Sequence, residues 1–139
     1  MLSAERSHLI RIAFWAGSSA VVGTTLVAAI TLRRLAAPIA FWFAVQTVAW
    51  GLLELVVTAT RWHGLAMRDV SAATRLDRLT WLGIGFDMGI AGIGLTAAIM
   101  AWTRERRLGA FGAGLGIVVQ GLGLLVLDLT FASLLARLV

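Results

Sequence analysis

Cysteine is absent from this chain, which removes disulfides, thiolate chemistry and cysteine-ligated metals from consideration. Lysine is absent as well: all twelve basic residues are arginine, a bias that fits a GC-rich prokaryotic source. Proline occurs once, at Pro38, early in an apolar run, where the first turn of a helix tolerates its missing N–H. Charged residues make up only 14% of the chain, and no Ser-His-Asp arrangement, metal-hydrolase spacing or dinucleotide fingerprint can be traced in it. Nothing therefore argues for an enzyme, a cofactor or a metal. The glycines from Gly109 to Gly116 lack the GK[ST] sequel of a phosphate loop and read as helix-packing positions. His8 and His63 fall at helix ends, so a haem held between them is not expected.

What the chain does have is apolar length. Hydrophobic residues make up 60% of it and the mean hydropathy is +0.91, well above an ordinary soluble domain. Four runs, 12–32, 35–60, 79–103 and 108–135, each reach the roughly 20 residues that a membrane-crossing helix needs. They are apolar nearly all round, whereas the helices of a soluble bundle keep one polar face. The predicted fold is all-α: one integral membrane domain over 1–139, with four transmembrane helices running up-down-up-down in an inner membrane. Lipid is its first expected partner. The net charge of +5 gathers at the ends of the runs and in the connections. That is the pattern of interfacial anchoring, not of a nucleic-acid face.

The connections are short except for 61–78, which holds four arginines against Asp69 and Asp77. Asp69 is placed to cap a helix leading into the third run. Residues 1–11 read as a polar lead whose following apolar run is too long for a signal peptide. Trp15, Trp62 and Trp81 are expected near one interface, and Trp42 and Trp102 near the other. The termini and the central connection hold seven arginines against five in the two tight turns, which leans toward cytoplasmic termini. So small a difference also admits dual insertion and an antiparallel homodimer.

Polar residues inside the runs carry the functional signal. Gln120 and Asp128 lie eight residues apart with no basic residue between them, close to one face of a helix. Gln46, Trp50 and Glu54 form a similar stripe, and Val45-Gln46 followed by Leu53-Glu54-Leu55 repeats at Val119-Gln120 and Leu127-Asp128-Leu129, 74 positions on. The match admits two duplicated hairpins of like orientation. Eleven of the fifteen glycines fall in the second hairpin, so its helices are expected to pack closest.

Glu54 is seven residues before Arg61, Asp87 nine after Arg78, and Asp128 nine before Arg137. At about 1.5 Å per residue the three acids share a level roughly 10–14 Å below one surface. Ser18 reaches that level from the first run. Each such acid costs roughly 2.5–3.5 kcal/mol on insertion scales. With no basic residue expected at that depth, protonation or a bound cation is the predicted relief. Gln46, Gln120, Ser18 and the Trp50 indole are the groups expected to orient the carboxylates.

Trp50-Gly51 with a polar residue at 54, Phe86-Asp87-Met88-Gly89, and Gly114 through Gln120-Gly121 to Asp128 resemble a bacterial family of small four-span membrane proteins of unknown function. That family carries W-x-x-x-N, L-D-x-G-Y and Q-G-x-x-L-L-x-x-D motifs in its second, third and fourth helices. The resemblance covers most of the chain after Ala40 and departs at Glu54, in place of Asn, and at Ile90, in place of Tyr. It implies a four-helix membrane protein and supplies no substrate.

Three functions stay open. The leading one is a proton- or cation-linked transporter or channel subunit, a homo-oligomer because four helices shield an interior site poorly. A structural or accessory membrane protein would use the same polar residues for helix packing alone. A binder of lipid or another hydrophobic ligand would use a cleft between the glycine-poor and glycine-rich hairpins.

Overall fold

The computed structural model describes residues 1–67 and 69–137, with Glu105 described by its backbone alone; Arg68, one of the four arginines of the central connection, lies outside the described residues. Four long α-helices account for nearly all of the described chain: α1 (Leu2–Leu32), α2 (Pro38–His63), α3 (Val70–Met100) and α4 (Leu108–Leu135). Each is long and apolar enough to cross a membrane. No strand occurs among the described residues. The protein is an all-α four-helix bundle.

Local chemistry sets the helix ends. Pro38 opens α2, where its fixed φ suits the first turn. Asp69 caps α3 by accepting from the Ala72 N–H at 2.8 Å, and the Ser71 hydroxyl donates to the same oxygen at 2.9 Å. The α1–α2 turn passes through Arg34 in the left-handed region (φ 50°). At the other tight turn, α3 unwinds through a π turn (Ala101–Glu105) and leaves by Arg106, also left-handed (φ 46°).

One boundary departs from the sequence expectation. Residues 2–11, read as a polar lead, are the first turns of α1. Glu5, His8, Leu9, Ile12 and Ala16 are buried at three- and four-residue steps, so the polar residues here share an inward helical face. No proline or glycine interrupts that stretch, and the helix simply continues past the start of the apolar run.

Consecutive helices run antiparallel. A side chain at Gly51 would meet the Ala16 carbonyl and the Ala20 N–H within 2.8 Å, so α1 and α2 touch backbone to backbone there. Gly121 plays the same part for α4, lying against the Asp87 carbonyl and the Ala91 N–H of α3. The backbone of α3 approaches α4 and its own π turn, and neither α1 nor α2. The fourth helix is therefore the hub of the bundle, packed on all three others.

The two hairpins meet through α2 and α4, which lie parallel, with Ile39 against Gly112 and Phe43 against Gly116. That register is close to the 74-residue offset of the internal match. Packing of α1 on α4 has no counterpart between α3 and α2, so a two-fold relation between hairpins is not kept. A gap is left on the flank where α3 stands apart from α1 and α2.

Candidate functional site

α4 carries the site. Gln120, Leu124 and Asp128 follow one another at helical steps along a single face, and all three are buried. At the α1 end of this line the Asp128 carboxylate meets an imidazole: His8 Nε2 lies 3.2 Å from Asp128 Oδ1. The His8 ring is stacked on Phe131, with centroids 4.2 Å apart and planes 6° from parallel. Phe131 follows Asp128 by three residues, so one face of α4 both bonds and holds the ring. The second oxygen, Asp128 Oδ2, lies over Gly83 of α3, where a β-carbon would stand 2.8 Å away. The sequence offered Asp128 no basic neighbour because His8 was counted outside the helix. Its burial on α1 corrects that.

Asp87 lies one turn beyond Gly83 on α3. It is only 5% exposed, and its Oδ2 is buried without a hydrogen-bond partner among the described residues. The charged groups within electrostatic reach of it are Asp128, Glu54 and Arg61. Glu54, half-buried on α2, feels Arg61 and Asp128 in turn. The three acids named from sequence thus come from three helices into one electrostatic neighbourhood. A buried polar oxygen left unpaired costs about 1–3 kcal/mol, and more when charged. Among the described residues nothing hydrogen-bonds Asp87 Oδ2 to offset its burial.

The polar groups expected to orient the carboxylates do something else. Gln120 stands eight residues from Asp128, about 12 Å along the helix axis. Its Oε1 accepts from the Trp15 indole N–H at 2.9 Å, and its Nε2 donates to Ser19 Oγ at 3.1 Å. Ser19, not Ser18, is the hydroxyl that α1 presents. Ser18 is half-buried beside it, one helical step (about 100°) round. The Trp15 ring lies across Gly123, where a side chain would collide with it. Trp15 is half-buried, with its indole turned inward to α4. Gln46 sits still further along, against Gly116. Trp50 is half-buried on α2, and no hydrogen bond joins it to the acids among the described residues. The expected single polar layer is therefore two levels, a carboxylate–imidazole level and an amide level.

The gap between α1 and α3 opens onto the first of these levels. It forms a cavity of about 200 Å³ whose polar lining is Glu5, His8, Arg61, Thr80 and Asp128, with Phe131 at its side. Arg61 comes from the last turn of α2. Acid, imidazole and guanidinium groups thus face one small space at one end of the bundle. Among the described residues no cluster of three or more histidine and carboxylate groups has the arrangement of a metal site.

A model of a family of unknown function, DUF6992, matches residues 11–129. The chain belongs to the DUF6992 family. Comparison with curated proteins and with solved structures yields no match. The stretch of this DUF6992 chain that the family model covers includes Glu54, Asp87, Gln120 and Asp128. His8 and Glu5 precede it, so the cleft of this DUF6992 chain is completed by residues outside the matched segment.

Proposed function

We propose that this chain is a multi-pass membrane protein that binds and passes protons, or a small cation, through the carboxylates Asp87, Asp128 and Glu54. The membrane setting is supported by the exterior. Phe14, Leu82, Phe86, Ile93 and Val126, drawn from three helices, are each more than 60% exposed. A soluble protein seldom leaves so much apolar surface in water.

The observation that carries the site reading is Asp87 Oδ2, buried and unpaired among the described residues and within electrostatic reach of two other acids. An ionisable group held in that position is a functional residue by default in a membrane helix. A proton or a cation supplies the charge the chain withholds. Carboxylate oxygens suit a proton or a hard cation better than a soft metal. Arg61 at the cleft mouth is the cationic side chain that moderates the cluster. The activity is non-enzymatic in this reading, and the bundle works as a homo-oligomer that shields the acids.

The decisive experiment is proton flux into vesicles carrying the purified protein under an imposed pH gradient. Wild type is expected to conduct, and Asp87→Asn to lose on the order of 100-fold of that rate. Because Asn is nearly isosteric and uncharged, Asp87→Asn should melt no lower than wild type. An unchanged rate in Asp87→Asn would remove the acid cluster from any such role.

A second reading is favoured by one observation. Both ends of the Gln120 amide are satisfied by Trp15 and Ser19, as in polar contacts that only join membrane helices. That level serves packing, and the accessory-protein reading would extend the same description to the acids.

A further inference from the structure

We propose that the cleft between α1 and α3 is a hydrated half-channel, open at the Arg61 end of the molecule alone, and that His8 at its floor passes protons between cleft water and Asp128. This rests on the reading of the buried carboxylates as a proton site.

The cleft has the size and the chemistry to hold water. Its volume is about 200 Å³; at about 30 Å³ per molecule that accommodates roughly six or seven waters. Ordered water needs two to four polar partners, and Glu5, His8, Arg61, Thr80 and Asp128 supply them from all four helices. A wholly apolar cavity of this volume would stay dry; this one sets those polar groups among Leu9, Leu76, Leu79 and Phe131.

Further into the bundle the route ends. Beyond Asp128, α4 buries Leu124 and then the Gln120 amide, which is bonded to Trp15 and Ser19. Past that level the backbones are in contact. A β-carbon at Gly114 would stand 2.7 Å from the Ala98 nitrogen, and one at Gly94 2.9 Å from the Gly114 carbonyl. Along this seam between α3 and α4, where a methyl group does not fit, a file of water does not either. The cleft thus reaches Asp128 from the Arg61 end, and Leu124, the bonded Gln120 amide and the α3–α4 contacts stand between Asp128 and the other end.

His8 occupies the junction. It is 6% exposed, lines the cleft, and holds Asp128 through Nε2 at 3.2 Å, with its ring fixed on Phe131. The charged groups facing it are Glu5 from its own helix, Arg61 from α2 and Asp128 from α4, while α3 contributes the Thr80 hydroxyl, which is bonded to the Leu76 carbonyl. A hydronium ion in the cleft gives its proton to His8 Nδ1 and becomes water. The proton on Nε2 passes to the Asp128 carboxylate, leaving a neutral imidazole and a neutral acid. The reverse sequence returns the proton to the cleft. Imidazole does this because its two nitrogens take up and release protons independently.

The absence of cysteine makes the test direct. Thr80→Cys places a thiol in the cleft, and Leu82→Cys places one on the outer face of α3 two residues away. A membrane-impermeant, cationic thiol reagent is applied to spheroplasts and, separately, to inverted vesicles. A thiol ionises and reacts in water, not in hydrocarbon, so Thr80→Cys should react at least about tenfold faster than Leu82→Cys, from one membrane face only. Equal rates, or labelling of Thr80→Cys from both faces, would overturn the half-channel.

For His8, the His8→Ala variant should lose on the order of 100-fold of proton flux. Free imidazole added on the labelled face, and not on the other, should restore it. A flux loss that imidazole does not restore, or no loss at all, would overturn the relay. Wild-type vesicles without proton flux would remove the transport reading and the relay with it, while the labelling pattern would still judge the cleft on its own.

Discussion

At Asp128 a buried carboxylate is stabilised by an imidazole lying 120 positions away in the chain, and at Gln120 an amide is satisfied by an indole and a hydroxyl from the same helix. Removing the amide strands both partners. Gln120→Leu is expected to cost about 1–3 kcal/mol, the penalty for leaving a buried donor unpaired. A lowered melting midpoint in detergent, with a shift in tryptophan emission from Trp15, would check it; an unchanged midpoint would deny the amide a structural role. Gly123→Ala tests the same contact by sterics, since its methyl would displace the Trp15 ring. At this scale the sequence was only partly legible. It marked Gln120 and Asp128 as buried and polar, because no soluble surface remained to receive them. It did not mark Trp15, Ser19 or His8 as their partners. Small rotations of α1 about its axis decide which of those side chains turns inward, and composition does not encode that rotation.

Among the elements, α3 is the one that packs on a single long helix, α4, and it starts from an exposed cap. The backbone N–H of Ala72 and then the Ser71 hydroxyl hold the Asp69 carboxyl below its ordinary range. A lowered folded value means the cap contributes fully above the usual aspartate range near about 3.9 and is lost as the pH falls through the folded value. Amide exchange at Val70–Ala73 is therefore expected to quicken relative to the middle of α3 as the pH drops below about 4, and Asp69→Ala should show that fast exchange at neutral pH. Exchange ratios independent of pH would contradict the cap. The left-handed turn residues give a second prediction at this scale. Arg106 adopts φ 46° without being glycine, a conformation costing about 1–2 kcal/mol for an ordinary residue. Arg106→Gly should hold or raise the melting midpoint, and Arg106→Val should lower it.

Across the whole molecule, four helices joined in antiparallel succession return the chain to the side on which it began. Under the membrane reading, reporter tags at the two termini are expected on the same face, with the Arg61 connection beside them and the Arg33 and Arg106 turns opposite. Opposite locations for the two tags in one population would break the four-span arrangement. The same geometry explains why the acids gather near one end: Glu54, Asp87 and Asp128 were each a few turns from an arginine on a common side, and alternating helix direction brings those distances into one layer. The cleft, by contrast, follows from α3 standing away from α1 and α2, a matter of how glycines let α3 settle against α4.

Length and composition alone determined that this chain would be four apolar helices with a few acids inside them. Those are properties of each segment taken separately, since a helix satisfies its own backbone and its apolar residues count the same wherever it is placed. Only the tertiary structure decided that Asp128 would have His8, that Gln120 would be tied to Trp15 and Ser19, and that Asp87 would be left unpaired. Those outcomes depend on the relative rotation and offset of helices far apart in the chain, which are set by close packing at positions such as Gly51 and Gly121 and by no single segment.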